Sequence, residues 1–339
     1  MKIGQRAVGP GQPVFVVAEA CDNHMGDLSV AKEMARQAKL AGADAIKFQH
    51  HLPDEEMLSD VPMSDNFEEP LYEFLKKHAL RIEDHAVLKH HCAETGIRYL
   101  CTPFSYKAAQ ELNVLDVEAF KIGSGEMTDI PSLRKIARFG KPMILSTGMS
   151  TLEEIDETVT ALREESAEFA LLNCVSEYPP VYEDLNLRVI ETMRDRYPDA
   201  AIGHSDHTPD LYTCFAAVAL GACIIEKHVI IDRGTPGPDQ SVSIDMTQLR
   251  ELVTGIRKIE RALGSEKRVQ PRERQIREWA FRSVVSLVDI EPGHTITANM
   301  VWTKRPGTGI PSKRLTEVVG KRTRVRIGAN SLVRWDDLE

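Results

Sequence analysis

Along residues 14–263 short apolar segments alternate with segments of helical spacing, and this alternation restricts the fold more than any other feature of the chain. The strand-like segments are residues 14–19, 43–49, 98–102, 119–122, 142–146, 169–174, 200–202 and 223–225. Between them lie helix-like stretches. In the first, Leu28, Ala31, Met34, Ala35, Ala38 and Ala41 recur at helical spacing until Gly42 stops them. Comparable segments cover residues 82–95, 106–112, 131–139, 151–164, 186–197 and 209–221, and a last one covers 246–263. Strand–helix alternation of this kind builds a parallel sheet. Eight such units predict an α/β chain closed into a (β/α)8 TIM barrel. An open doubly wound sheet is the competing architecture, but no GxGxxG follows the first strand and polar residues stand at nearly every strand exit.

Two regions interrupt the alternation. Residues 50–81 form a long polar excursion broken by Pro53, Pro62 and Pro70, with a short helical piece at 71–77, and are expected to form a substrate lid. Residues 264–275 are charged and helix-poor. Beyond them, strand-like pieces at 283–288, 301–304 and 322–326 lie among Gly and Pro. The expected organisation is a barrel over 1–264, a linker over 265–279 and a small β-rich domain over 280–339.

With 42% hydrophobic and 27% charged residues among 339, the composition is that of an ordinary globular protein. A net charge of −9 argues against a nucleic-acid partner, although the last sixty or so residues are locally basic. No apolar run reaches membrane-spanning length and no signal-type apolar core follows the N-terminal residues, so a cytoplasmic protein is expected. The six cysteines form no CxxC pair and several sit in apolar runs, which predicts reduced core thiols without a catalytic role.

The polar strand exits carry the chemistry. His207 and His228 follow the last two strands, which a single crossover helix makes parallel neighbours, so both rings can converge on one metal ion. Asp206, Glu226, Lys227 and Asp239 are close by in sequence. The remaining exits offer Glu19, Lys47 with Gln49, Thr102, Lys121 with Ser124 and Glu126, Ser146 with Thr147, Ser176 with Tyr178, and Ser205. Barrel chemistry sits at the C-terminal ends of the strands. A lone Ser or Thr there is ordinarily a turn or helix cap. Lys47 and Lys121 are different, because a lysine inside an apolar strand needs a counter-charge or a ligand. With the hydroxyls and glycine turns they predict an anionic, phosphate-bearing ligand.

Several of these motifs together resemble the sialic acid synthase family: Phe120-Lys121-Ile122-Gly123-Ser124-Gly125-Glu126, Ser146-Thr147-Gly148-Met149, Ser205-Asp206-His207-Thr208, Glu226-Lys227-His228 and Gly237-Pro238-Asp239. Glu19, Asn23-His24 and Lys47-Phe48-Gln49 extend the match, and the C-terminal region around Lys304-Arg305-Pro306-Gly307 resembles the antifreeze-like SAF domain of those enzymes. The resemblance implies condensation of phosphoenolpyruvate with an N-acetylmannosamine-type N-acyl amino sugar to a nine-carbon 2-keto acid and phosphate. It implies Glu19, Lys47, Lys121 and Glu126 as catalytic groups and His207 and His228 as metal ligands. Gln49, Thr102, Ser124, Ser146, Ser176, Tyr178, Ser205, Lys227, Asp239 and Arg305 are then the substrate-binding set. The implied ion is Mn2+, with Mg2+ or Co2+ as substitutes; imidazole ligation by itself also admits zinc. A homodimer is implied in which the small domain of one chain caps the barrel of the other, with Arg305 reaching the sugar.

The chain departs from that pattern at Ala20, Cys21, Ser176, His204 and Gln240. Ser176 stands where N-acetylneuraminate synthases carry Asn, which leaves the acceptor sugar open. Legionaminic and pseudaminic acid synthases and spore-coat polysaccharide proteins vary at similar places. Two other readings compete: a phosphoenolpyruvate-dependent synthase acting on another, phosphorylated aldose, and a non-catalytic sugar-binding barrel. The acidic stretch from Asp54 to Asp65 argues against a second phosphate, and the intact set of Glu19, Lys47, Lys121, His207 and His228 argues against a binding-only role.

Overall fold

The computed structural model describes residues 1–62 and 69–339. Contacts divide the chain into two compact units, Met1–Gly264 and Ser265–Glu339. Among its described residues, the barrel of the first is built from eight strands: β1 (Phe15–Glu19), β2 (Ala45–His50), β3 (Arg98–Pro103), β4 (Phe120–Ile122), β5 (Met143–Ser146), β6 (Phe169–Cys174), β7 (Ala201–Asp206) and β8 (Ile224–Ile230). Each pairs in parallel with its successor, and β8 pairs with both β7 and β1, which closes the expected barrel.

Helices α1 (Leu28–Ala41), α2 (Ile82–Thr95), α3 (Tyr106–Val114), α4 (Ile130–Ala137), α5 (Leu152–Glu164), α6 (Val189–Arg196), α7 (Tyr212–Ala219) and α8 (Met246–Ala262) follow the strands in turn. Their ends follow from local chemistry. Asp27 caps α1 by accepting from the Ser29 and Val30 amides, and Gly42 ends it at φ 96°, a left-handed conformation in which a side chain is strained. Thr151 with Glu154, and Asp245 with Gln248, close capping boxes on α5 and α8. The buried face of α1 is Ala31, Met34, Ala35, Ala38 and Ala41, and these small side chains let the helix lie close to the strands.

Strand periodicity sorts the barrel interior. Phe15, Val17, Ala45, Leu100, Ala119, Ile144, Ala170, Leu172, Ala201 and Ile224 form one buried apolar cluster, closed at the N-terminal end by Ile3 and Val8. Gly203 belongs to the same layer, where an added Cβ would lie 2.5 Å from Leu172 Cδ2 and 2.6 Å from Ile224 O. Two residues further along each strand, the same face becomes polar. Val17 gives way to Glu19, Ala45 to Lys47, Leu100 to Thr102, Ala119 to Lys121, Ile144 to Ser146, Gly203 to Ser205 and Ile224 to Glu226. The apolar layers thus fill the barrel and the polar layer forms its mouth.

Strands β7 and β8 run further than expected, through Asp206 and Ile230, so Ser205, Glu226 and His228 are strand residues and His207 directly follows β7. The reason is that the barrel continues its backbone pairing through the polar layer. In residues 50–81 two helices are described, Pro53–Glu56 and Leu71–His78; residues 63–68, part of the stretch expected to be a lid, lie outside the described residues.

The second unit has a helix at Glu273–Ala280, so the charged stretch after Gly264 turns helical at its end, where sequence read it as helix-poor to residue 275. Strands Ser283–Ser286 and Val301–Lys304 pair antiparallel over a core of residues such as Val284, Ile290, Ile296, Val301 and Val333. The third strand expected at 322–326 is replaced by isolated bridges, Thr295 to Arg322 and Thr323 to Leu338, adjacent residues that each pair with a different segment.

Candidate active site

The mouth of the barrel holds a cavity of about 380 Å³. Lys47 and Lys121 reach it from β2 and β4, both almost fully buried. The Lys47 ammonium lies 2.5 Å from Glu19 Oε2 and 3.7 Å from Glu226 Oε1, and donates to Thr102 Oγ1 at 2.9 Å. Lys121 lies 3.6 Å from Glu226 Oε1 and donates to Ser146 Oγ at 2.7 Å and to Ile122 O at 2.9 Å. Ser205 completes the ring by donating to Glu226 Oε1 at 3.1 Å. Four buried charges therefore neutralise one another around a ring of hydroxyls.

Their protonation follows from burial set against these contacts. Burial raises the Glu19 carboxyl to about 7, with Lys47 opposing and Glu226 reinforcing the shift. Burial would raise Glu226 as well, but Lys121 and Lys47 outweigh it and hold that carboxylate below its usual range. Lys47 loses to burial and regains more from Glu19 and Glu226, so it stays charged. For Lys121 burial prevails over Glu226 and its affinity for a proton falls.

Two residues beyond Ser205 and Glu226 stand the histidines. The rings of His207 and His228 are 5.1 Å apart, edge to face, and Tyr178 stacks on His207 at 4.2 Å. Burial holds His207 at about 4 and His228 well below its usual value, so both are neutral imidazoles with a lone pair to offer. His207 Nδ1 donates to Val175 O at 2.7 Å, which leaves Nε2 as its acceptor nitrogen. His228 Nδ1 is buried without a hydrogen-bond partner among the described residues. One ligand atom each from Cys21, His228 and Asp239 lie within 4.8 Å of one another. This donor set suits a divalent transition ion.

Of the other residues expected at the site, Gln49, Ser124, Ser176 and Tyr178 line the cavity with those above. Ser124 and Ser176 converge on Gly148, whose absent Cβ would sit 2.7 Å from one hydroxyl and 2.2 Å from the other. Three residues stand elsewhere. Lys227 points the opposite way from His228 along β8 and is fully buried against Asp206 at 2.6 Å and the Thr208 carbonyl. Glu126 does not line the cavity; its Oε2 is buried beneath Gly123. Arg305 belongs to the second unit, where its guanidinium lies over the Trp279 ring. Cys174, Asp22 and His51 line the cavity without having been expected there, and Glu226, noted from sequence beside His228 but given no role, lines it as well. The alternation Ile224, Glu226, His228 was the available signal for Glu226.

Glu126 yields a test on stability. Burial lifts its carboxyl from 4.5 to about 7, so between those values the unfolded chain gives up a proton that the folded chain keeps. Stability associated with this group therefore falls as pH rises from 4.5 to 7. Glu126→Gln should remove that slope, gaining up to about 3 kcal/mol at pH 8 relative to pH 4.5. Parallel urea unfolding curves for the two proteins across this range would contradict it.

Fold and site together define a barrel whose mouth gathers buried charges, hydroxyls and residues that could hold a metal ion. The chain belongs to the NeuB family, whose pattern it matches over residues 34–268, and residues 281–339 match the SAF domain. It is 39% identical over 340 residues to an uncharacterized protein of Methanocaldococcus jannaschii, covering 100% of this chain and 98% of that one. It is 36% identical over 352 residues to the N,N'-diacetyllegionaminic acid synthase of Legionella pneumophila, covering 99% and 98%. Among solved structures, the N-acetylneuraminic acid synthetase of Leptospira borgpetersenii superposes with TM-score 0.73 at 34% identity, over 81% of this chain and 94% of that one.

Proposed function

We propose that this chain condenses phosphoenolpyruvate with the open-chain aldehyde of an N-acyl amino sugar, giving a nine-carbon nonulosonic acid and phosphate. The observation that carries the reading is one cavity lined both by two lysines with a ring of hydroxyls and by two neutral histidines. Lys47, Lys121, Thr102, Ser124, Ser146 and Ser205 hold the phosphoenolpyruvate anion. His207 and His228 would hold a divalent ion, manganese being the family's usual one, which would supply polarisation of the aldehyde oxygen.

C3 of phosphoenolpyruvate forms the new bond to the aldehyde carbon, whose oxygen takes a proton to become a hydroxyl. C2 is left electron-poor and is captured by water. Glu19 receives the proton of that water, a task suited to a carboxyl held at about 7. The resulting tetrahedral centre expels phosphate, which takes up the remaining hydroxyl proton, and becomes the ketone. We place the reaction in the cytoplasm and in a homodimer, with Arg305 of one chain reaching the sugar held by the other.

Ser176 bears on the choice of acceptor, because it lines the cavity and is shorter than Asn. His204 does not: its Nδ1 faces Asn173 O at 3.0 Å and its Nε2 lies 3.4 Å from Asp206, away from the cavity. Room beside Ser176 favours an acceptor bulkier than N-acetylmannosamine, such as a 2,4-diacetamido-6-deoxy hexose. Phosphate release from phosphoenolpyruvate should require a sugar and should be faster, by kcat/KM, with the diacetamido sugar. A tenfold preference for N-acetylmannosamine, about 1.4 kcal/mol in the transition state, would overturn that choice of acceptor. No release with either sugar would overturn the reaction itself.

A further inference from the structure

We propose that Cys21 and Asp239 join the histidines as direct ligands of the divalent ion, so that the site is a thiolate site. The inference deepens the proposed function by naming which ions that site takes. Three observations support it. The ligand atoms of Cys21, His228 and Asp239 lie within 4.8 Å of one another, a spacing that a single ion can draw together. His228 is 5% exposed, and its Nδ1 is buried without a hydrogen-bond partner among the described residues. The closure of the barrel brings these residues together: β8 pairs with β1 in the register His228 to Glu19, so the exit of the first strand, with Cys21, lies beside the eighth.

Cys21 also holds a left-handed backbone, φ 40°, with a side chain that glycine would not have to accommodate. Its thiol is fully buried, yet it stands in the polar turn after β1 and not in an apolar run. On metal binding the thiol proton passes to solvent and the sulfur becomes an anionic ligand. A site with one thiolate, one carboxylate and imidazoles selects zinc, cobalt or ferrous ions over magnesium, which prefers oxygen ligands alone.

Cobalt titration of the metal-free full-length chain tests this without any sugar or phosphoenolpyruvate. The parent protein should develop a near-ultraviolet thiolate-to-cobalt charge-transfer band that saturates at one equivalent. Cys21→Gly relieves the left-handed backbone and so should fold; it and Cys21→Ser should bind cobalt through the histidines with the band lost. Asp239→Asn should keep the band and bind cobalt more weakly. One equivalent of bound cobalt without the band in the parent, or a band that survives Cys21→Gly, would overturn the proposal. Because the spectrum is read without substrates, a parent that shows the band but releases no phosphate would sink only the condensation reading.

Discussion

Changing His207 or His228 to alanine should lower the divalent ion of the purified protein below one equivalent and abolish the proposed condensation, while the barrel still unfolds cooperatively. Both rings are held neutral by burial, and a neutral imidazole binds metal without first having to lose a proton. His207 is oriented by its bond to Val175 O, and alanine would remove both the ligand and that anchor. Losing the ion removes several kcal/mol of transition-state stabilisation, which corresponds to a fall of about 10³-fold or more in rate. The structural penalty is smaller. Tyr178 loses an aromatic partner, worth about 0.5–1.5 kcal/mol, and the apolar layers beneath are untouched. Metal content by elemental analysis, read beside phosphate release, checks this. Full activity in the presence of a chelator would refute it.

The barrel was legible because eight buried strands and their helices leave a repeated pattern along the chain, and because Gly42, Asp27 and Thr151 mark helix ends by chemistry that needs no distant partner. The lysines were legible for a related reason: Lys47 and Lys121 sit among apolar neighbours where a charge needs an explanation. Lys227 satisfies the same criterion and yet faces away from the cavity. Its counter-charge, Asp206, comes from the neighbouring strand, and only the parity of β8 separates Lys227 from Glu226 and His228. Treating adjacent residues as a cluster hid that parity. Cys21 is separated from His228 and Asp239 by most of the chain, so its proximity to them appears only once β8 is paired with β1. The eightfold count already implied that pairing. Glu126 shows a different limit, because a motif of the right residues at the right spacing does not say which of them turns inward.

Lys47→Met should lower kcat/KM by about 10³-fold or more, mainly through a raised KM for phosphoenolpyruvate, and should destabilise the fold by about 3–5 kcal/mol. Both effects come from one arrangement. Lys47 is buried 2.5 Å from Glu19 Oε2 and 3.7 Å from Glu226 Oε1, so removing its charge leaves two carboxylates facing each other in the barrel with only Lys121 to oppose them. The two effects can be separated with a second change. In the double variant Lys47→Met with Glu19→Gln, one positive and one negative charge leave together and the side-chain volumes are nearly kept. A buried ion pair replaced in this way is typically close to neutral in stability. The double variant should therefore regain most of the lost stability in denaturant unfolding, while its KM for phosphoenolpyruvate stays as high as in the single variant, because the anion has still lost one of its two lysines; its kcat falls in any case with the loss of Glu19. If affinity for phosphoenolpyruvate returned together with stability, Lys47 would serve the fold and not the substrate. A single variant with KM for phosphoenolpyruvate within about tenfold of the parent, about 1.4 kcal/mol of binding, would lead to the same conclusion.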